Sequence, residues 1–333
     1  MKMSIAARLC GAVALAGAFV AGPAAAAWEP TKPVEIIVAA GAGGASDQMA
    51  RMMQAAIQKN NLIKQPVVVT LKGGASGAEA LMHMKSSEGD ANKVLIAYSL
   101  IYMLPLSAKV PFNWRELTPV AVLAFDEFVL WVNAETPYKT VKDFTDAAKA
   151  SNPPFKMGGT GSKREDHVLT VLLEKKAGAK FAYLPYTSGG EAATQLVGKH
   201  IASNVNNPSE NLEVWRAGQV RPLCVFSLER INYKGKVSGD MSWNDIPTCK
   251  EQGVDVQYQM LRAMFLPGKV TAEQSAFYEV LFKKVVQTPE YKEYMEKQAL
   301  KPVFFTGKDM LKFLEEDDRL NRDLMTEAGF VAQ

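Results

Sequence analysis

Short runs of apolar residues, bounded by Pro, Gly or Asn, alternate along the chain with segments of helical periodicity. The runs lie at residues 34–40, 67–71, 94–99, 120–125, 128–133 and 221–227. They are continuously apolar, which is typical of strands covered on both faces of a sheet. Apolar residues after the first run recur at helical spacing, at Met49, Met53, Ala56 and Ile57. They predict a helix that begins near Ser46.

The end of the chain, from Thr271, is predicted to be mostly helical. Thr271 and Gln274 have the spacing of a capping box, and Thr288 before Pro289 is typical of a helix start. A further helix is predicted over residues 308–325, where apolar positions form one stripe. Such stripes are most simply surfaces that face the core.

Alternation of strands and helices predicts an α/β fold built from mostly parallel sheets flanked by helices. The chain has 333 residues, a length at which two lobes are more common than a single core. No Ser- or Gly-rich linker separates two halves, so we expect strands to pass between the lobes. The expected crossings lie at residues 125–127 and after Ser227. These crossings give one lobe of residues 28–125 plus 228–333 and a second lobe of residues 126–227.

Residues 1–27 have the layout of a secretory signal peptide. Lys2 and Arg8 form a basic start, an apolar run spans residues 9–21, and small residues follow. We expect cleavage after Ala26 or Ala27 and a soluble protein exported to the periplasm. Arg8 also argues against a lipoprotein, because small residues normally precede a lipidated cysteine such as Cys10.

Removal of the signal peptide leaves Cys224 and Cys249, in an oxidising compartment where a disulfide could persist. Closing a loop of about 25 residues would stabilise the fold by roughly 3.5 kcal/mol on the chain-entropy model. Two buried thiols are the alternative that the sequence leaves open.

Common catalytic motifs are missing from the sequence. The three histidines, His83, His167 and His200, form no zinc-ligand spacing, so we expect no metal site. The sequence contains no GxSxG elbow and no glycine-rich nucleotide loop, and we expect neither a cofactor nor catalysis. Without Lys2 and Arg8 the chain has 36 basic and 35 acidic residues. A chain so close to neutral is unlike a nucleic-acid-binding protein, so we expect no nucleic-acid partner.

Four glycine-rich segments each lead into a predicted helix, at residues 41–47, 73–79, 158–165 and 187–191. Three contain the capping-box pattern, as Ser76 with Glu79, Ser162 with Glu165 and Ser188 with Glu191. Helix N-termini expose backbone N–H groups and carry partial positive charge. Each segment alone could be ordinary architecture, but together they predict loops that bind an anion at the carboxyl ends of the strands.

The same segments, with motifs along the mature chain, resemble the periplasmic receptors of tripartite tricarboxylate transporters, the TctC or Bug family. The matching stretches are residues 28–38, 43–47, 65–69, 183–186, 215–223, 246–253 and 328–330. This resemblance implies a two-lobed, type II venus-flytrap fold that traps a small organic acid. It also implies delivery of the acid to the membrane subunits of a transporter by a receptor that we expect to be monomeric.

The resemblance places ligand-binding residues in loops of both lobes. They are Ala42, Gly43, Gly44, Ala45, Ser46, Asp47 and Ser99 in the first lobe, and Gly159, Thr160, Gly161, Ser162, Thr187, Ser188, Gly189, Asn206 and Asn207 in the second. Asp47 is expected to orient its loop, since a carboxylate would repel an acidic ligand. Arg262 lies in an apolar run where a charge needs a partner, and it is predicted to anchor the ligand.

The sequence thus predicts a receptor that binds a small organic acid without changing it. Two alternatives stay open at this stage. One is an exported enzyme that acts on a small carboxylate, and the other is a sensory receptor that presents its ligand to a signalling protein. The identity of the acid is beyond the sequence.

Overall fold

The computed structural model describes residues 28–332, so the predicted signal peptide lies outside the described residues. The described chain alternates strands with helices, as the sequence predicted. Its strands are β1 Val34–Val38, β2 Val67–Leu71, β3 Lys93–Ala97, β4 Thr118–Asp126, β5 Val129–Asn133, β6 Phe155–Thr160, β7 Phe181–Tyr186, β8 Ser203–Asn206, β9 Val220–Val225, β10 Lys236–Ser238, β11 Met241–Ser242, β12 Met260–Leu266 and β13 Lys301–Phe305. Its α-helices are α1 Ala45–Lys59, α2 Ala78–Ser86, α3 Leu100–Ala108, α4 Val141–Ala150, α5 Glu165–Ala177, α6 Gly189–Val197, α7 Pro208–Arg216, α8 Ala272–Val285, α9 Pro289–Lys297 and α10 Gly307–Ala328.

Two large sheets organise the described chain, one in each lobe, and β10 and β11 form a separate two-stranded sheet. The first has the strand order β13-β4-β12-β3-β1-β2, and the second has the order β7-β6-β8-β5-β9. In the first sheet β1 pairs in parallel with β2 and β3, whereas β12 runs antiparallel to both β3 and β4. In the second sheet β6 pairs in parallel with β7 and β8, whereas β5 runs antiparallel to β8 and β9. The α/β fold is confirmed.

The two large sheets are mixed, with four parallel and five antiparallel pairings, which corrects the prediction of mostly parallel pairing. Strands β5, β12 and β13 run against the other strands of their sheets, and β5 and β12 are not preceded by a crossover helix. Only Glu127 and Phe128 separate β4 from β5. A strand that enters a lobe directly, without a crossover helix, does not have to be parallel to its neighbours.

Strand β1 is buried on both faces, as its continuous apolar run predicted. Ile36 and Val38 pack in one hydrophobic cluster with the buried face of α1, and Ile37 packs in another with residues of β3 and α3. Helix α1 begins at Ala45, close to the predicted start at Ser46. Both faces of the first sheet are therefore covered.

The C-terminal helices form as predicted. The Thr271 hydroxyl accepts from the amide of Gln274, whose side chain accepts from the Thr271 amide at 2.8 Å. Helix α9 begins at Pro289, after Thr288. Helix α10 contacts α3 and β4 of the first lobe and α5 of the second, so it connects the lobes beside the two crossings. Within residues 28–332, no helix combines the length and apolar character needed to cross a bilayer.

Cys224 and Cys249 are joined by a disulfide, which settles the alternative that the sequence left open. The segment around it packs on the second lobe: the Trp243 ring lies 4.6 Å from that of Trp215 and 6.2 Å from that of Trp131. The sequence placed everything after residue 227 in the first lobe. We propose that the second crossing lies instead near residues 257–259, where the chain leaves this cluster for β12.

Candidate functional site

A cleft lies where the carboxyl ends of strands from both sheets meet. Its cavity has a volume of about 40 Å³. It is lined by Ala40, Gly41, Gly44, Ala45, Ser46, Tyr98, Phe128, Thr160, Arg164, Glu165, Asp166, Thr187, Ser188, Asn207, Glu210, Met260 and Arg262. Loops after β1, β3, β6, β7 and β8 converge here, as ligand loops do in open α/β sheets. The space fits a carboxylate group or a few water molecules.

The structure brings part of the predicted site together and leaves part outside. Predicted residues that line the cleft are Gly44, Ala45, Ser46, Thr160, Thr187, Ser188, Asn207 and Arg262. Predicted residues of the described chain that do not line it are Ala42, Gly43, Asp47, Ser99, Gly159, Gly161, Ser162, Gly189 and Asn206. The glycine-rich segment at residues 73–79 follows the edge strand β2 and contributes no lining residue.

The first-lobe loop presents the N-terminus of α1 to the cleft. Gly43 has a φ of 78°, a left-handed conformation that favours glycine. Its amide donates to Asp47 Oδ2 at 2.8 Å, so Asp47 orients the loop as expected. Among the described residues, no backbone acceptor pairs with the amides of Ala45 and Ser46, the first two of the 15-residue helix α1. These N–H groups and the positive end of the helix dipole favour an anion.

The second-lobe turns differ from the prediction, because their amides already have acceptors. The Thr160 amide donates to Asp166 Oδ2, the Gly161 amide to the Tyr186 carbonyl at 2.9 Å, and the Thr187 amide to Glu191 Oε2 at 3.0 Å. Local carboxylates compete for the same N–H groups that a ligand would use. These three turn amides are therefore not free donors in the second lobe.

The predicted capping boxes formed only in part. Ser188 Oγ accepts from the Glu191 amide at 3.3 Å, but Glu191 pairs with Thr187 rather than with the cap residue. The other two pairs do not cap their helices: the N-caps of α2 and α5 are Gly77 and Arg164. The S-x-x-E pattern located these helix starts but placed the two caps one or two residues early.

Ser99 and Asn206 are buried and do not line the cleft, so their predicted contact with a ligand stays a prediction. Ser99 accepts a hydrogen bond from the Tyr258 hydroxyl and is 0% exposed. Asn206 donates to the Gly189 carbonyl and to Asn211 Oδ1, each at 2.7 Å. Both side chains satisfy buried polar groups that link neighbouring segments.

Arg262 lies in the cleft wall with a buried partner. It is 3% exposed, and its Nε and Nη2 donate to Asp126 Oδ2. Its Nη1 donates to Ser46 Oγ at 2.7 Å, and Nη2 lies 3.5 Å from Asn207 Oδ1 of the second lobe. Most of its donors are thus engaged, because a buried cation is stable only when paired. Its predicted role as ligand anchor stays a prediction.

Arg164 is the functional candidate that sequence reasoning ranked too low. It is 9% exposed and lines the cleft, and its Nη2 donates to the Tyr98 hydroxyl of the first lobe. Its Nε has no hydrogen-bond partner among the described residues. A buried guanidinium N–H without an acceptor is costly, and an anionic ligand would supply one. The sequence feature that could have identified Arg164 is its position in a glycine-rich segment directly before a helix.

Tyr98 separates the two guanidinium groups. The Arg164 Cζ lies 5.0 Å from the centre of its ring and the Arg262 Cζ lies 5.8 Å from it. The ring faces favour nearby cations. One aromatic side chain at the end of β3 thus holds a positive group from each lobe beside the cleft.

Carboxyl groups offset these charges. Glu165, Asp166 and Glu210 line the cleft, and the Glu165 carboxylate lies 3.6 Å from Arg164 Nε. Burial raises the pKa of Glu210 to about 7, with a further increase from Asp126. Burial also raises the pKa of Asp166 well above its usual range, and nearby Glu210 adds to the effect. The raised pKa of each group favours its protonated form, which repels an anion less than an ionised carboxylate would.

The chain matches the family profile described as "Tripartite tricarboxylate transporter family receptor" over residues 49–330. Among curated relatives, it is similar to Protein BugT of Bordetella pertussis, with 30% identity over 222 residues. That alignment covers 65% of this chain and 67% of BugT. The resemblance inferred from the motifs is confirmed.

Solved structures share the fold. An R. palustris protein solved with adipate superposes with a TM-score of 0.81 at 20% identity, over 90% of this chain and 98% of that one. MatC from Rhodopseudomonas palustris, solved with bound malate, superposes with a TM-score of 0.77 at 17% identity, over 89% of this chain and 100% of that one. The two-lobed architecture is therefore the same in all three proteins.

Proposed function

This chain belongs to the receptor family of tripartite tricarboxylate transporters, and we propose that it is a periplasmic receptor for a small organic carboxylate. It binds the acid between the lobes and delivers it to the membrane subunits of such a transporter. Membership of a receptor family removes the support for the alternative of an exported enzyme.

One observation carries the proposal. The free amides at the start of α1 come from the first lobe and Arg164 comes from the second, and residues of both groups line the same cavity. The amides have no backbone acceptor among the described residues, and Arg164 Nε has no hydrogen bond there, with the Glu165 carboxylate 3.6 Å away. A carboxylate placed between them would accept from both lobes at once, which only the closed form allows. Binding energy would then favour closure as a population shift.

Relatives indicate the chemical class of ligand. Two proteins of the same fold were solved with malate and with adipate, both aliphatic dicarboxylates. The cavity of about 40 Å³ has room for one carboxylate group or a few water molecules. We infer that a longer acid is accommodated with the lobes slightly further apart, its first carboxylate at α1 and Arg164.

A thermal-shift screen tests the proposal with malate, adipate, benzoate and glutamate as probes. A ligand of the native state raises the melting temperature by mass action, and about 2.7 kcal/mol of stabilisation is expected at 100 times the Kd. Small-angle scattering of the mature protein should show a smaller radius of gyration with the best acid, and light scattering should show a monomer. If no carboxylate stabilises the protein at millimolar concentration, the proposed class of ligand is wrong.

A further inference from the structure

A second and larger cavity lies beside the two crossings between the lobes, and it shares no lining residue with the cleft. Its volume is about 710 Å³, within the range of pockets that hold small organic molecules. Its walls come from residues 125–127 and 257–259, from residues 227–233, from the start of β13 and from α10. We call it the hinge cavity.

The walls of the hinge cavity are largely apolar. The rings of Phe125 and Phe313 lie 5.2 Å apart and form one side. Leu300 and Ile231 line it further in, and Leu320 on α10 lies at its edge, 44% exposed. Leucine and phenylalanine side chains gathered around an open volume are typical of a binding site rather than of a free surface.

One buried polar group within these walls has no partner. Glu127 is 6% exposed and lines the cavity. Its Oε1 accepts from Gln259 Nε2 at 2.6 Å, whereas its Oε2 has no hydrogen-bond partner among residues 28–332. An unpaired buried carboxyl oxygen costs free energy in the empty protein. A cationic ligand beside this carboxyl group would offset that cost.

The charges around Glu127 indicate what kind of donor fits. Asp317, 5% exposed, and Glu229 also line the cavity, so three carboxyl groups surround it. The basic residues of the lining are Lys301, which is exposed, and Arg230, which pairs with Glu251 outside the cavity at 3.0 Å. An inner wall that carries acidic groups and an apolar body favours an amphipathic cation over an anion.

We propose that the hinge cavity is a second ligand site, which takes a small primary amine with an aromatic or branched aliphatic body. The ammonium group binds at the carboxyl group of Glu127, and the body packs between Phe125, Phe313 and Leu320. Because Glu127 and Gln259 belong to different crossings, the occupant contacts both connections between the lobes.

Proton linkage supports this assignment. Burial raises the pKa of Glu127 to about 8, and the neighbouring Asp126 raises it while Gln259 and Lys301 lower it. A bound ammonium group would favour the ionised carboxylate and so release a proton at neutral pH. Binding of the amine should therefore strengthen as pH rises from 7 to 8.5, while the amine itself stays protonated.

Three probes with the same body and different head groups test the proposal: 2-phenylethylamine, 3-phenylpropionate and 2-phenylethanol. Titration calorimetry at pH 8 should show that the amine binds the mature protein at least tenfold more tightly than the acid or the alcohol. Glu127→Gln, which preserves side-chain size, should weaken amine binding about tenfold, and Phe313→Ala should weaken all three probes. Glu135→Gln, which alters an exposed carboxylate paired with Lys199 on the second lobe, should change nothing.

Further outcomes separate this site from the cleft. Saturating carboxylate in the cleft, or the variant Arg164→Met, should leave a measurable amine site in place. The proposal is overturned if the acid binds as tightly as the amine, if Glu127→Gln leaves amine affinity within twofold, or if no probe binds at 5 mM. It is also overturned if Arg164→Met abolishes amine binding, since the amine would then occupy the cleft.

Discussion

Replacement of Arg164 by Met tests the cleft most directly, because Met keeps the length of the side chain and removes its charge. Arg164 is the one buried cation of the described cleft whose Nε lacks an acceptor in the absence of ligand. A hydrogen bond to a charged group contributes about 1.5–3 kcal/mol. Since 1.4 kcal/mol corresponds to a tenfold change in Kd, the variant should bind its carboxylate about 10- to 150-fold more weakly.

The substitution has two side effects that the structure makes explicit. The Tyr98 hydroxyl loses Arg164 but still donates to the Ala39 carbonyl at 3.0 Å, so it is not left unpaired. Glu165, 4% exposed, loses a cation 3.6 Å away and would be buried without a partner. The double variant Arg164→Met, Glu165→Gln removes that uncompensated carboxylate. It should restore folding stability without restoring affinity.

Titration calorimetry with the acid that gives the largest thermal shift measures the effect. Arg216→Met is the matched control, because Arg216 pairs with Glu213 at 2.8 Å on α7 and does not line the cleft. Its affinity should stay within twofold of the parent protein. A loss below threefold in both Arg164 variants, with folding intact by circular dichroism, would refute the assignment of Arg164 as a ligand donor.

Three further predictions follow from the cleft and the disulfide. Affinity for the carboxylate should rise as pH falls from 8 to 6, because Glu210, with a pKa of about 7, becomes protonated and repels the anion less. Calorimetry at several pH values measures this, and a flat profile would contradict it. Gly189→Ala should weaken binding and destabilise the fold, because an added Cβ would lie 2.0 Å from Glu210 Oε2. Thermal denaturation measures the change in stability and calorimetry the change in affinity. A variant that is indistinguishable from the parent in both would contradict the geometry. Replacing Cys224 and Cys249 by Ser should lower the free energy of unfolding by roughly 3.5 kcal/mol. Urea titration measures it, and a decrease of less than about 1 kcal/mol would show that the disulfide contributes little to stability.

Local sequence patterns were sufficient for several of the elements and for the family. The apolar run at β1, the helical spacing after it and the capping box at Thr271 each depend on residues within a few positions of one another. Such features are set by backbone hydrogen bonds and side-chain periodicity, which the order of residues encodes directly. The same reasoning located three glycine-rich loops whose residues line one cleft.

Tertiary structure decided which groups in those loops are free to bind. Arg262 is matched by Asp126, 136 positions away, and Arg164 meets Tyr98 across 66 positions, so neither pairing has a local signature. The second-lobe amides were lost as donors because the carboxylates of Asp166 and Glu191 fold back onto them. A buried charge must pair with a group that lies close to it in the folded chain, and only the tertiary structure determines which group that is.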